Sequence, residues 1–154
     1  MTNPVVSRRV LCFTALSAAV FVDAAMNATR AAEAHRLALQ ISDDEPAKMR
    51  AVLDIAANVS RYYSGRGEEV EITVVAFNGG LDMLLDDRSP VHERMGNFAK
   101  SMPNVSFVAC GNTLDTLTIR DGKRPPLMPG VRVVEAGVAE LLDLAEKSWT
   151  IIRP

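Results

Sequence analysis

"FVACGNTLDTL" (Phe107–Leu117) joins two different patterns. Phe107, Val108 and Ala109 continue a run of strand-forming residues from Asn104, and after Cys110 the residues Gly111, Asn112 and Thr113 open a helical spacing. A buried strand thus hands over to a helix at a cysteine. Where such junctions repeat along a chain, they predict an α/β fold with a mostly parallel sheet, right-handed crossovers and helices on both faces.

The junction recurs on both sides of this stretch. "RLALQIS" (Arg36–Ser42) is a short apolar run with little alternation, as in a strand buried on both faces. "DDEP" follows, and acidic residues ahead of Pro46 are a helix-start signal that suits the positive end of the helix dipole. Met49, Val52, Leu53, Ala56, Val59 and Tyr63 recur at helical spacing, and Gly65 and Gly67 close that helix. "VEITVVAF" (Val70–Phe77) is a second strand, rich in β-branched residues and broken by "NGG". "LDMLLDD" predicts a short helix, and Ser89-Pro90 opens another with Ser89 as its cap. "RDGKRPPLMPG" (Arg120–Gly130) is turn-rich and a candidate interface or lid. "VRVVEA" predicts the fourth strand, "GVAELLDLAEK" a helix with Val138, Leu141, Leu142 and Ala145 on one side, and "WTIIRP" a fifth, edge strand.

The N-terminal residues read differently. Arg8 and Arg9 precede an apolar run from Val10 to Val22, too short to span a bilayer, which needs about 20 residues. This fits the charged and apolar regions of an export signal over residues 1–34, with small side chains in "AEA" (Ala32–Ala34) before a cleavage point ahead of His35. Ser7-Arg8-Arg9 followed by Leu11 resembles a twin-arginine signal, and an ordinary secretory signal is the other reading. Either implies a periplasmic or otherwise exported protein without a stable membrane anchor. Residues 35–154 then form one domain, an appropriate size for a single core. The whole chain has 154 residues, about half of them apolar, and a formal charge of -2. With no large basic cluster, a nucleic-acid partner is not expected. Cleavage would remove Cys12 and leave Cys110 alone, so no intrachain disulfide is expected.

In parallel α/β sheets, ligands bind outside the carboxyl ends of the strands. Four small or polar places fall there: Ser42-Asp43-Asp44, Asn78-Gly79-Gly80, Cys110 to Thr113, and Ala136-Gly137. The candidate catalytic residue is Cys110, because unpaired N–H groups at a helix N-terminus favour the thiolate, which is the nucleophile. The candidate binding residues are Gly111, for close backbone approach, Asn112 and Thr113 as donors, and Asp43, Asn78 and Gly79 at neighbouring strand ends. Blander roles exist for each: a buried strand-end cysteine, helix capping for Asp43 and Asp44, a tight turn for Gly79 and Gly80. "FNGG" lacks the spacing of a phosphate loop or dinucleotide fingerprint, and His35, His92 and Cys110 are too scattered for a metal. No cofactor is expected.

Several stretches together resemble the DsrE-like family, which includes the sulfur-relay proteins of bacterial sulfur metabolism. They are "LQISDDEPAKM", "EITVVAFNGGLDMLL", "FVACGNT", "LMPGVRVVEAGVAEL" and "WTIIRP", spread from about Arg36 to Pro154. The resemblance implies a flavodoxin-like three-layer α/β/α fold with a mostly parallel five-stranded sheet, and a homo-oligomer, trimer or hexamer. It implies that Cys110 accepts sulfur as a persulfide from a donor protein or small sulfur compound and passes it to an acceptor thiol. This chain departs from the cytoplasmic, hetero-oligomeric relay members in its export signal. With no second cysteine in the domain, transfer goes to another molecule. The competing expectation is a non-catalytic, small-anion-binding or assembly module in which the cysteine only packs.

Overall fold

The computed structural model describes residues 34–154. The expected export signal and Cys12 lie outside them, apart from Ala34. Strand β1 is His35–Ile41, helix α1 Pro46–Ser64, β2 Val70–Ala76, a 3-10 helix Asn78–Leu84, α2 His92–Ser101, β3 Val105–Cys110, α3 Gly111–Asp121, β4 Arg132–Val134, α4 Gly137–Glu146 and β5 Thr150–Ile152. The five strands form one sheet in the order β4-β3-β2-β1-β5, and every pair is parallel. This is a flavodoxin-like, three-layer α/β/α architecture.

The strand order determines which helix lies on which face. From β1 to β4 the chain steps across the sheet in one direction, so right-handed crossovers carry α1, the 3-10 helix with α2, and α3 to one face. The return from β4 to β5 runs the other way, and α4 falls on the opposite face. Two cores result. The larger packs Leu39, Ile41, Ile72, Val74, Phe107 and their neighbours against Met49, Leu53, Leu84 and Leu114. The smaller packs Ala38, Val75 and Val108 beneath Leu141 and Leu144 of α4. Each fully buried Leu or Ile contributes about 1.5–3 kcal/mol of hydrophobic stabilisation.

Strand parity assigns Cys110 to the second face. Side chains alternate along a strand, and Phe107 and Ala109 belong to the larger core while Val108 belongs to the smaller. Cys110 therefore points toward α4, although it also immediately precedes α3 on the other face.

Several local expectations are corrected. The helix expected at Ser89-Pro90 begins at His92. Ser89 Oγ instead accepts from the Val91 N–H and donates to the Met83 carbonyl, so it braces the preceding turn. "NGG" does not merely end β2; it is the first part of the 3-10 helix. On α4 the buried positions are Gly137, Leu141 and Leu144, whereas Val138 is 54% and Leu142 63% exposed. Gly137 packs closely against Phe77 and Cys110, and with Leu141 and Leu144 it forms the covered face in place of the one that apolar counting selects. In the segment expected as an interface or lid, Met128 N–H donates to the Leu84 carbonyl and Asp86 N–H to the Pro126 carbonyl. Its middle is thereby bound to the end of the 3-10 helix.

Among the described residues, no helix is long and apolar enough to cross a membrane.

Candidate functional site

Cys110 ends β3 with extended backbone (φ -73°, ψ 118°) and occupies the N-cap position of α3. Two helix N-termini converge on its side chain. One belongs to α3. The other belongs to α4, because Cys110 pairs in register with Val134 on β4 and α4 begins three residues further on. A Cβ added to Gly137 would sit 3.2 Å from the Cys110 Cβ and 3.3 Å from the Phe77 ring. That approach brings the Gly137 N–H to the sulfur.

Burial pushes the Cys110 thiol up, but hydrogen bonds outweigh it. The Thr113 hydroxyl is the first of these, followed by the Gly137 N–H and then those of Thr113 and Asn112, the last of which is shared with the Glu135 carbonyl, and the thiol is held below its ordinary value. Thr113 is itself oriented. Its Oγ1 accepts the Asn78 N–H at 3.1 Å, which leaves its own proton free to face the sulfur. Asn78 achieves this with a left-handed backbone (φ 49°), a conformation that asparagine tolerates better than most residues.

The sulfur forms part of the wall of a cleft of about 610 Å³ at the carboxyl end of the sheet. Only 6% of Cys110 is exposed, so the cleft is its route to solvent. Phe77, Asn78, Gly79, Asn112 and Thr113 line the same cleft. Of the candidate residues, Cys110, Asn112, Thr113, Asn78 and Gly79 are thus brought together.

Two candidates are used elsewhere. Asp43 does not line the cleft; it pairs with Lys48 at 3.1 Å and with Arg153 at 3.1 Å, fastening the C-terminal end of the chain to the β1–α1 loop. Its carboxyl is held below the usual range by Lys48 first and Arg153 next. Its neighbour Asp44 lines the cleft instead. Gly111 is buried against the β4–α4 connection, where a Cβ would meet the Val134 carbonyl oxygen at 2.9 Å. Its close approach is to the protein's own backbone, and the Asn112 N–H donates to the Glu135 carbonyl at 3.0 Å.

The glycines after β2 are also required for contact, since neither Gly79 nor Gly80 has a positive φ. A Cβ on Gly79 would lie 3.0 Å from Asp44, and one on Gly80 only 2.3 Å from the Ile41 carbonyl oxygen.

Residues not singled out from sequence complete the wall. Gly137 was recognisable as a strand-end position, but not as a neighbour of Cys110. Asp82 and Arg120 also line the cleft, and no local pattern marks either. Arg120 is held by Asp121 through two contacts, of 2.6 and 3.0 Å, and Arg88 reaches the same carboxylate at 3.1 Å. Asp121 is pushed down to about 2, by Arg120 first and Arg88 next. No cluster of metal-ligating side chains occurs among the described residues.

No family profile matches the chain, and no curated protein matches it significantly. Among solved structures it is similar to the protein of unknown function MTH1491 from Methanobacterium thermoautotrophicum. The two share 27% sequence identity with a TM-score of 0.67, over 78% of this chain and 99% of that one. The likeness extends to the whole of that chain and supports the α/β architecture described above.

Proposed function

We propose that the protein is a persulfide carrier of the DsrE-like, sulfur-relay type, with Cys110 as the carrying residue. One observation supports this most directly: the Cys110 side chain lies where the starts of α3 and α4 meet, in the wall of a cleft that Thr113 also lines. Donors directed at a sulfur stabilise the thiolate, which is both the attacking nucleophile and the leaving group of a sulfur relay.

The chemistry balances without a redox partner. The Cys110 thiolate attacks the outer sulfur of a donor persulfide, R–S–SH. A new S–S bond forms on Cys110, the donor S–S bond breaks, and R–S⁻ leaves. An acceptor thiolate then attacks the outer sulfur, and Cys110 departs as thiolate. Because no second cysteine lies in the domain, that acceptor belongs to another molecule. Export to the periplasm and assembly into a trimer or hexamer remain part of this proposal.

Intact-mass measurement after incubation with a small persulfide tests the reading. Wild-type protein gains one sulfur atom, which a thiol reductant removes, and Cys110→Ser gains none. Folded wild-type protein that gains no sulfur from any donor overturns the reading.

The depth of the sulfur favours a second reading, in which the amides hold a small anion and Cys110 packs. Cys110→Ser would then leave anion affinity unchanged, as measured by calorimetry.

A further inference from the structure

The charges around the cleft are unevenly matched. Three ionisable side chains besides Cys110 line it: Asp44, Asp82 and Arg120. Arg120 is neutralised by its two-point contact with Asp121. Arg88, the other cation whose field reaches Asp82, is bound to Asp121 and Asp87. Neither Asp44 nor Asp82 has a salt-bridge partner among the described residues. The wall near the sulfur therefore offers hydrogen-bond donors, while the cleft is also lined by two carboxylates that form no ion pair among the described residues. These two features act on different species. The donors are already directed at the Cys110 sulfur itself, whereas an incoming molecule meets the carboxylates and the thiolate together.

We infer that Asp44 and Asp82 form a charge filter, through which the cleft admits neutral or amine-bearing sulfur compounds to Cys110 and disfavours anionic ones. This rests on the carrier reading and gives it a substrate class: persulfides with an uncharged or cationic tail, rather than inorganic polysulfide dianions. An ammonium group on the tail would lie among the carboxylates while the outer sulfur reaches Cys110. Two carboxylates lining the same cleft, in largely aqueous surroundings, alter approach rates of oppositely charged small molecules on the order of tenfold.

Thiol-specific methanethiosulfonate reagents read the filter without any relay chemistry. The thiolate attacks the sulfenyl sulfur, a mixed disulfide forms and a sulfinate leaves, whichever charge the tail carries. In wild-type protein at low salt, the aminoethyl reagent should modify Cys110 on the order of ten times faster than the sulfonatoethyl reagent, relative to their rates with a free thiol. Added salt should narrow that ratio, and the double variant Asp44→Asn, Asp82→Asn should bring it close to one. A ratio near one in wild-type protein overturns the filter, as does a ratio that the double variant leaves unchanged. Failure of every reagent to modify folded protein overturns it as well, because the cleft would then admit nothing. Persulfide loading is scored separately, by mass, with aminoethyl persulfide against inorganic polysulfide. Reagents that sort by charge, with no sulfur loaded from either donor, leave the filter standing and remove the carrier reading.

Discussion

Gly80→Ala destabilises the fold by roughly 3 kcal/mol or more, seen as a large drop in the urea midpoint. A Cβ at this position would lie 2.3 Å from the Ile41 carbonyl oxygen, 2.5 Å from its carbon and 2.8 Å from the Ser42 nitrogen. All three atoms are backbone, at the end of β1, so no rotamer change relieves the overlap. Either β1 or the 3-10 helix must move, and both bury residues of the larger core: Leu39 and Ile41 on one, Leu81, Met83 and Leu84 on the other. Gly96→Ala provides the opposite sign. Gly96 lies inside α2, and nothing comes within 4 Å of its added Cβ. That substitution should stabilise by about 0.5–1 kcal/mol, because it removes freedom from the unfolded chain and improves helix propensity. A Gly80→Ala protein as stable as wild type would show that the close approach of β1 to the 3-10 helix is wrong.

Thr113→Val lowers the alkylation rate of Cys110 at neutral pH by about tenfold, because a hydrogen bond to a charged group accounts for about 1.5–3 kcal/mol. Valine keeps the volume and removes the donor. The midpoint of the pH–rate profile should move up, while the plateau at high pH stays near the wild-type value. A loss of packing alone would change the plateau, through altered access to the buried sulfur, and leave the midpoint in place, so the two causes separate in one titration. Because the native thiol is held below its unfolded value, the unfolded chain binds the extra proton between the two. Stability of the wild-type protein therefore rises with pH from the lowered native pKa up through the ordinary thiol range near about 8.5, and is lost as pH falls through the native pKa. In Thr113→Val that slope should become shallower. Denaturant titrations at several pH values, with Cys110→Ser as the reference, measure it.

Much of this architecture is visible in one dimension. The apolar runs at Arg36–Ser42, Val70–Phe77 and Asn104–Cys110 match the observed strands to within one residue at each end. Such runs are readable because a strand covered on both faces has few polar positions to interrupt it. The helix registers were harder to read. In α4 Val138 and Leu142 are as apolar as Leu141 and Leu144, and composition does not distinguish the covered pair from the exposed one. The covering strands decide it.

The candidate site divides in the same way. Position relative to a strand end and a helix start is a local property, so Cys110, Asn112, Thr113, Asn78 and Gly79 were all recognisable from their neighbours in the chain. Asp43 shared that property and still turned aside, because Lys48 and Arg153 compete for its carboxylate. Sequence alone thus marks a cysteine at the rim of a parallel sheet, with a helix starting behind it. Only the folded chain shows that β4 lies beside β3 and that Gly137 therefore delivers a second helix start to the same sulfur. Strand order is a long-range pairing outcome: any local stretch is compatible with several neighbours, and the packing of the completed sheet selects among them.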